Sequence, residues 1–482
     1  MKSRIAVALL SAALAGCASL APEYERPAAE LPAAWQAAPA GALPAPGERW
    51  WTIYGDPALD RLVDEALAHN RDLALAVARV DEARALARIA DAERYPALDA
   101  SGVVDRSRIS ERTSVPYPAG TELTSDNYRA ALNASYELDL WGRVRNANVA
   151  ARAGLLATQA AQETVRLTLT ADVTRSYFSL VALDGQVAAV ERLLKLRLED
   201  LELQKVRYRQ GLLAEFNLRQ LEAEVASNRA ELPALKRARE TEEAALTVLL
   251  GRSPRAVMES AVQATADKLT PPVVVPDGLP SELLLRRPDL VEAEQRLIAA
   301  NAQIGVARAQ LFPTIRLTGY LGSESASLAD LFTGPAGIWQ LAAGLTQPIF
   351  QGGRLLGEVD AAEARQRQAL AQYEKAVQAA FRDVRQALAR QSRSREVFDA
   401  EAERIAALQD TLRLARIRYD LGLSSQLEVL DAERNLLRAA VSREDALRDQ
   451  RSAVTDLVRA LGGGWAGLPP EGGAPGAQAA AR

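Results

Sequence analysis

Two stretches of this chain, RYRQGLL at 207–213 and RYDLGLS at 418–424, write Arg-Tyr-x-x-Gly-Leu twice at an offset of 211 residues. The offset holds well beyond the motif: Gly142-Arg143 falls on Gly353-Arg354, Asp172-Val173 on Asp383-Val384, Glu222 on Glu433 and Leu250-Gly251 on Leu461-Gly462. Further upstream it becomes 217, pairing Asp72-Leu73 with Asp289-Leu290 and Tyr95-Pro96 with Phe312-Pro313. Self-similarity on this scale means one supersecondary unit written twice. The change of offset arises between Pro96 and Gly142, which places the variable surface connection there. Any fold must therefore use each element in duplicate.

Each copy has the same order. A helical segment, about 56–95 in the first copy and 281–312 in the second, ends at a proline that cannot continue a helix. Two strand-like runs follow. In NYRAALNASYELDL, residues 127–140, Tyr128, Ala130, Leu132, Ala134, Tyr136 and Leu138 alternate with Asn127, Arg129, Asn133, Ser135, Glu137 and Asp139. Leu98, Ala100, Gly102 and Val104 alternate with Asp99, Ser101 and Asp105. In the second copy, Ile315, Leu317, Gly319 and Leu321 alternate with Thr314, Arg316 and Thr318, and Trp339, Leu341, Ala343 and Leu345 with Gln340, Gly344 and Thr346. A period of two marks strands that are apolar on one face and wet on the other.

After the strands, 143–208 and 354–419 run without proline. As continuous helices at 1.5 Å per residue, each would be about 100 Å long. Gly211 and Gly422 stand where a helix ends in a left-handed cap, and second helices are expected to return over 215–250 and 425–461. The repeated motif then forms the tips of two long helical hairpins. Ser425-Gln426-Leu427-Glu428 also reads as a capping box, and the charge-laced stretches 191–209 and 401–418 read as solvated faces.

Lys2 and Arg4, an apolar run from Ile5 to Leu14 and then small residues have the layout of a secretory signal peptide. The single cysteine, Cys17, ends Leu14-Ala15-Gly16-Cys17, which resembles a bacterial lipobox. A lipid on Cys17 would anchor the mature chain. The following Ala18 and Ser19 lack the aspartate that retains bacterial lipoproteins at the inner membrane, so the resemblance implies the outer membrane.

Beyond the signal peptide no apolar stretch approaches the ~20 residues of a transmembrane helix, so membrane crossing must use strands. Four strands cannot close a membrane barrel, which starts at about eight, and an open edge in lipid leaves backbone groups unpaired. Oligomerisation is expected, with dimer, trimer and tetramer all able to close.

Charges are balanced at 58 basic and 62 acidic, a net of −4, which gives no reason to expect nucleic acid. One cysteine excludes a disulfide, and His69 as sole histidine leaves no His/Cys metal cluster. A hydrolase is excluded by the same single histidine and the lack of Gly-x-Ser-x-Gly. No enzyme activity and no cofactor beyond the lipid are expected.

Taken together, the lipobox, the N-terminal PEYERP with Pro32 and Trp35, the duplicated strand pairs, the long helices and both tips resemble the TolC-like outer membrane factor family, most closely its lipoprotein branch. That resemblance implies an α+β membrane protein: a trimeric twelve-stranded outer-membrane β-barrel, four strands per chain, continued by a long periplasmic α-helical barrel. It implies a passive, gated duct of a tripartite efflux pump, with a periplasmic adaptor and, through it, an inner-membrane transporter as partners.

By motif match the adaptor-binding tips are Arg207, Tyr208, Gly211, Leu212, Arg418, Gly422, Leu423 and Ser424. Tyr419 matches the gate latch, and Glu428 and Asp431 the family's acidic ring, which would favour cations. Ser424 departs from the arginine that TolC itself carries there. The expected organisation is a signal peptide at 1–16, a lipidated and equatorial segment at 17–55, repeats at 56–251 and 281–462, an equatorial linker at 252–280 and a disordered tail at 463–482. The competing reading is a lipid-anchored periplasmic coiled-coil scaffold or adaptor, which would not need four two-faced strands.

Overall fold

A computed structural model describes residues 19–27, 47–112, 114, 118, 120–259, 286–465 and 467–468. Cys17, the equatorial linker beyond Glu259 and most of the tail lie outside them. The elements are helices α1 (Pro57–His69) and α2 (Arg71–Ala92), strands β1 (Ala97–Arg108) and β2 (Thr124–Leu138), and helices α3 (Arg143–Arg209), α4 (Glu215–Leu249) and α5 (Pro254–Glu259). The second copy supplies α6 (Pro288–Ala309), β3 (Thr314–Ser325), β4 (Gly337–Thr346), α7 (Arg354–Asp420) and α8 (Gln426–Ala460). The chain divides into two compact units, one of Met1–Ala28, Asp81–Ala157 and Ala293–Tyr373, the other of Ala29–Val80, Thr158–Glu292 and Glu374–Arg482.

The first unit holds a sheet of order β1-β2-β3-β4, antiparallel throughout. Its register sets Ala100 opposite Leu132, Leu132 opposite Leu321 and Leu321 opposite Trp339, so one apolar row crosses all four strands. Leu98, Ala134, Gly319 and Leu341 form the next row on the same face. That face is bare: Leu132 is 50% exposed, Leu321 65% and Trp339 77%. The opposite face is wet. Asn127 donates to Glu324 at 2.8 Å, Asn133 donates to Ser101 at 2.9 Å, and the Arg129 guanidinium stands 4.3 Å over the Tyr320 ring. β1 and β4 each keep one edge unpaired among the described residues.

In the second unit, the segment expected as one helix over 56–95 begins as α1 and breaks at Asn70. That residue leaves helical backbone, with ψ at 134°. Its Oδ1 accepts from the amides of Asp72 and Leu73 at 2.9 and 3.0 Å, starting α2, while its Nδ2 donates to Leu249 O at the end of α4. The duplicate does the same job with different chemistry. Arg287, at the equivalent position, donates to Ala460 O at the end of α8 at 2.8 Å and forks onto Asp289 at 3.0 and 2.7 Å. Both junctions thus occupy terminal carbonyls that a helix end would otherwise leave without partners.

The core of this unit lies where α1 meets α3. Trp50, Trp51, Tyr54, Leu59 and Val63 pack against Tyr177, Phe178, Leu180, Leu246 and Leu457, all buried. Burying a side chain such as Leu59 contributes about 1.5–3 kcal/mol. Asp56 caps α1 by accepting from Ala58 N and also accepts from the Tyr177 hydroxyl at 2.5 Å. Burial, then the hydrogen bond to Asp56, pushes that hydroxyl well above the usual tyrosine range, so it stays a donor.

Candidate functional site

The two hairpin tips share one backbone solution. α3 ends with Gly211 at φ +74°, whose amide donates to Tyr208 O at 2.9 Å while Leu212 N donates to Arg207 O at 2.9 Å. α7 ends with Gly422 at φ +69°, and the matching bonds run from Gly422 N to Tyr419 O at 2.9 Å and from Leu423 N to Arg418 O at 2.8 Å. This double bond pattern is the Schellman cap. It demands a left-handed residue that only glycine adopts without strain. The duplicated glycines are therefore explained by turn chemistry. The Arg and Tyr beside them contribute only carbonyls to the cap, which leaves their side chains available for another task.

Both tips are greasy on the outside. Leu212 and Phe216 at the first tip are each 73% exposed, and Leu421 and Leu423 at the second are 67% and 68% exposed. Arg207 and Tyr208 are exposed and Tyr419 is half-buried. Ser424 is half-buried, with its Oγ enclosed and without a hydrogen-bond partner.

The capping box expected at Ser425 does not form. Ser425 caps α8 without any side-chain hydrogen bond, and Glu428 turns instead toward Arg418, 3.7 Å away on the other arm of the turn. An opposite charge beyond the turn outcompetes a neutral amide for the carboxylate. Asp431 does not join Glu428. It pairs with Arg434 on its own helix and accepts from Asn435 Nδ2 at 3.1 Å.

A set of residues beneath the second tip escapes sequence reasoning. Arg197, inside the stretch read as a solvated face, is only 2% exposed. Its Nη2 donates to Leu430 O at 3.2 Å and its Nε lies 3.4 Å from Glu433, which also takes Arg416 of α7 at 2.8 Å. Asp200 on α3 accepts from Gln426 of α8 at 3.2 Å and from Gln204 at 3.1 Å. Leu430 closes the arrangement by packing into a cluster of Leu201, Leu218, Leu221 and Val225 from the first hairpin. The available signal is a break in the duplication: where the first copy has Arg197, the offset of 211 lands on Leu408.

No group of acidic, histidine or cysteine residues able to hold a metal is present among the described residues, and no described helix is long and apolar enough to cross a membrane. The tips offer exposed apolar surface and paired charge.

The chain is similar to known proteins over most of its length. A model of the outer membrane efflux protein family matches residues 62–252 and 279–463. The chain is 37% identical over 459 residues to the cation efflux system protein CusC of Escherichia coli O6:H1, covering 94% of this chain and 97% of that one. It is 36% identical over 471 residues to a probable efflux pump outer membrane protein, TtgC, of Pseudomonas putida, covering 96% of both. Among solved structures, the Campylobacter jejuni CmeC outer membrane channel superposes with a TM-score of 0.87 at 26% identity, covering 93% of this chain and 95% of that one. A CusC structure gives 0.81 at 35% identity, covering 93% and 100%.

Proposed function

The chain belongs to the outer membrane efflux protein family and is a passive outer-membrane efflux channel, and from that premise we propose that its two hairpin tips dock a periplasmic adaptor and gate the duct. The channels it resembles are trimers with four strands per chain, so twelve strands close one barrel and the free edges of β1 and β4 pair between protomers. The observation that carries this reading is the sheet: one continuous bare apolar face toward lipid, one wet face toward a lumen. A periplasmic scaffold has no use for such a sheet.

The adaptor reading is supported by the exposed Leu212, Phe216, Leu421 and Leu423 crowded onto two short turns. Exposed apolar clusters on otherwise charged helices mark protein contacts. Arg207, Tyr208, Gly211, Arg418, Gly422 and Ser424 supply the polar rim and the turn itself. An inner-membrane transporter, reached through the adaptor, supplies the energy. Tyr419, Glu428 and Asp431 gate the closed end. Three-fold repetition of the two carboxylates around an axis makes a ring that favours cations over anions.

The duct selects its cargo weakly. Relatives named for cation efflux and relatives named for toluene, solvent or antibiotic efflux stand at 36–37% identity alike. Selection sits largely in the transporter.

Single-channel recording of the purified full-length protein in a planar bilayer, with its mass measured in detergent, tests the proposal. A trimer giving small, cation-selective currents is expected. A monomer without currents, or anion-selective currents from a trimer, would overturn the gate assignment.

A further inference from the structure

Where α8 ends against the start of α6, the second unit holds a cavity of about 310 Å³ walled also by α3 and α7. Four guanidinium groups line it, those of Arg175, Arg287, Arg390 and Arg459, against three carboxylates, Asp289, Asp383 and Asp456. The carboxylates are already engaged. Asp456, 8% exposed, takes Arg175 at 2.7 Å and also Arg390, while Arg287 forks onto Asp289 and stands 3.6 Å from Asp383. Arg459 is the charge left over: half-buried, its guanidinium has no hydrogen bond or ion pair among the described residues. The N-terminus of α6 opens on the same space at Pro288 and adds its partial positive charge.

A helix junction does not require these charges, as the duplication shows. Asp72 and Asp172 match Asp289 and Asp383, but Arg390, Asp456 and Arg459 fall on Ser179, Ala245 and Val248, and Arg287 falls on Asn70. The first junction closes through Asn70 with none of the four. The apolar core does not require them either. Residues two apart on a helix stand ~200° apart, and Arg175 is two from both Val173 and Tyr177 just as Asp456 is two from both Val454 and Val458, all four of them core residues. The core, with α1, therefore lies on one side of these helices and the charged cavity on the other. In a duct walled by such helices, α1 on the inner side would stand in the passage, so the charged side faces the lumen.

We propose that this cavity is a binding site for a small oxyanion, a phosphate or carboxylate group, with Arg459 as its principal contact and Arg287 and Arg390 beside it. Planar guanidinium groups match such oxygens two at a time. The volume far exceeds the ~10–15 Å³ that one water needs, so the anion fits with part of its hydration. Bound there, it joins the end of α8 to α6 and α7 and braces the junction. The site lies within one chain, so it stands or falls apart from the gating role of the tips.

The test is thermal unfolding of the full-length trimer in detergent, titrated with inorganic phosphate or with acetate while chloride holds the ionic strength constant. A saturable rise in Tm is expected. Response to either anion supports the site, and the tighter of the two names the group it takes. Arg459→Met is expected to weaken that binding about tenfold, the worth of one charge-assisted contact. Arg459→Lys, which keeps the charge and loses the fork, should weaken it less, and it decides by the same titration if the Met variant does not assemble. Arg219→Met at the first tip should leave the titration unchanged. A Tm that follows ionic strength alone, or equal affinity in the parent and the Arg459 variants, overturns the site.

Discussion

The two hairpin tips have the same backbone and different attachments. Each ends in a Schellman cap on glycine, with matching bonds from the glycine and the following leucine. At the first tip, however, the charges pair within one helix: Arg219 takes Glu215 at 3.2 Å and Glu222 at 2.9 Å, all on α4. At the second, the residue equivalent to Glu222 is Glu433, and it ties α8 to both α3 and α7 through Arg197 and Arg416. A duplicated unit thus keeps the turn, which is local chemistry, and diverges in what the turn is fastened to. The second tip is tied to the first hairpin by Arg197–Glu433 and Arg434–Glu224 ion pairs as well as by the apolar seat of Leu430.

The largest effect separating the tips is expected from Arg197. Arg197→Met leaves the half-buried Glu433 with one partner fewer, and losing one member of a buried ion pair costs about 3–5 kcal/mol; Arg416 remains, so the low end applies. The measurement is thermal unfolding together with single-channel conductance. A raised conductance with a lowered Tm is expected, and an unchanged channel would remove the clamp from the gate. The matched change at the other tip, Arg219→Met, should alter neither, since that side chain is exposed.

Next come the caps. Gly211→Val and Gly422→Val each force a branched residue into a left-handed backbone at about 1–2 kcal/mol. Equal losses of stability are expected because the geometry is equal. Unequal losses, read from denaturant midpoints, would mean that the caps differ in ways their hydrogen bonds do not. Function is expected to divide as well, with both variants weakening adaptor capture and only Gly422→Val shifting the closed-state current.

A smaller change is expected for Asp431→Asn and Glu428→Gln. Both carboxylates pair with an arginine at a partly exposed position, where stability effects are small. Their signature is selectivity: reversal potentials in a salt gradient should move toward non-selectivity. Tyr419→Phe tests the hydroxyl alone, and a current identical to the parent's would take Tyr419 out of the gate.

Much of this molecule is legible in its order of residues. Alternation over 127–140 announces β2, and the glycine after each Arg-Tyr announces a tip, because strand faces and left-handed caps are set by nearest-neighbour backbone chemistry. Where sequence reasoning fails, the causes are equally physical. The helix expected over 56–95 breaks at Asn70 because that side chain finds Leu249 O, 179 residues away. The Ser425 capping box loses Glu428 to Arg418 because the turn brings a cation within reach. Arg197 looks like one more solvated charge because helical periodicity does not say which charged face another helix will cover.

Sequence alone determined the duplication, the two-faced strands, the hairpin tips and the family they resemble, all of which are periodic or local patterns that a single chain carries. Tertiary structure decided what the second tip is fastened to and where residues 19–27 lie. Arg197 meets Glu433, and Arg26 meets Glu294, only after long helices have settled their rotation and register. The energy of such pairs depends on distance and burial between segments hundreds of residues apart, quantities that no local pattern contains.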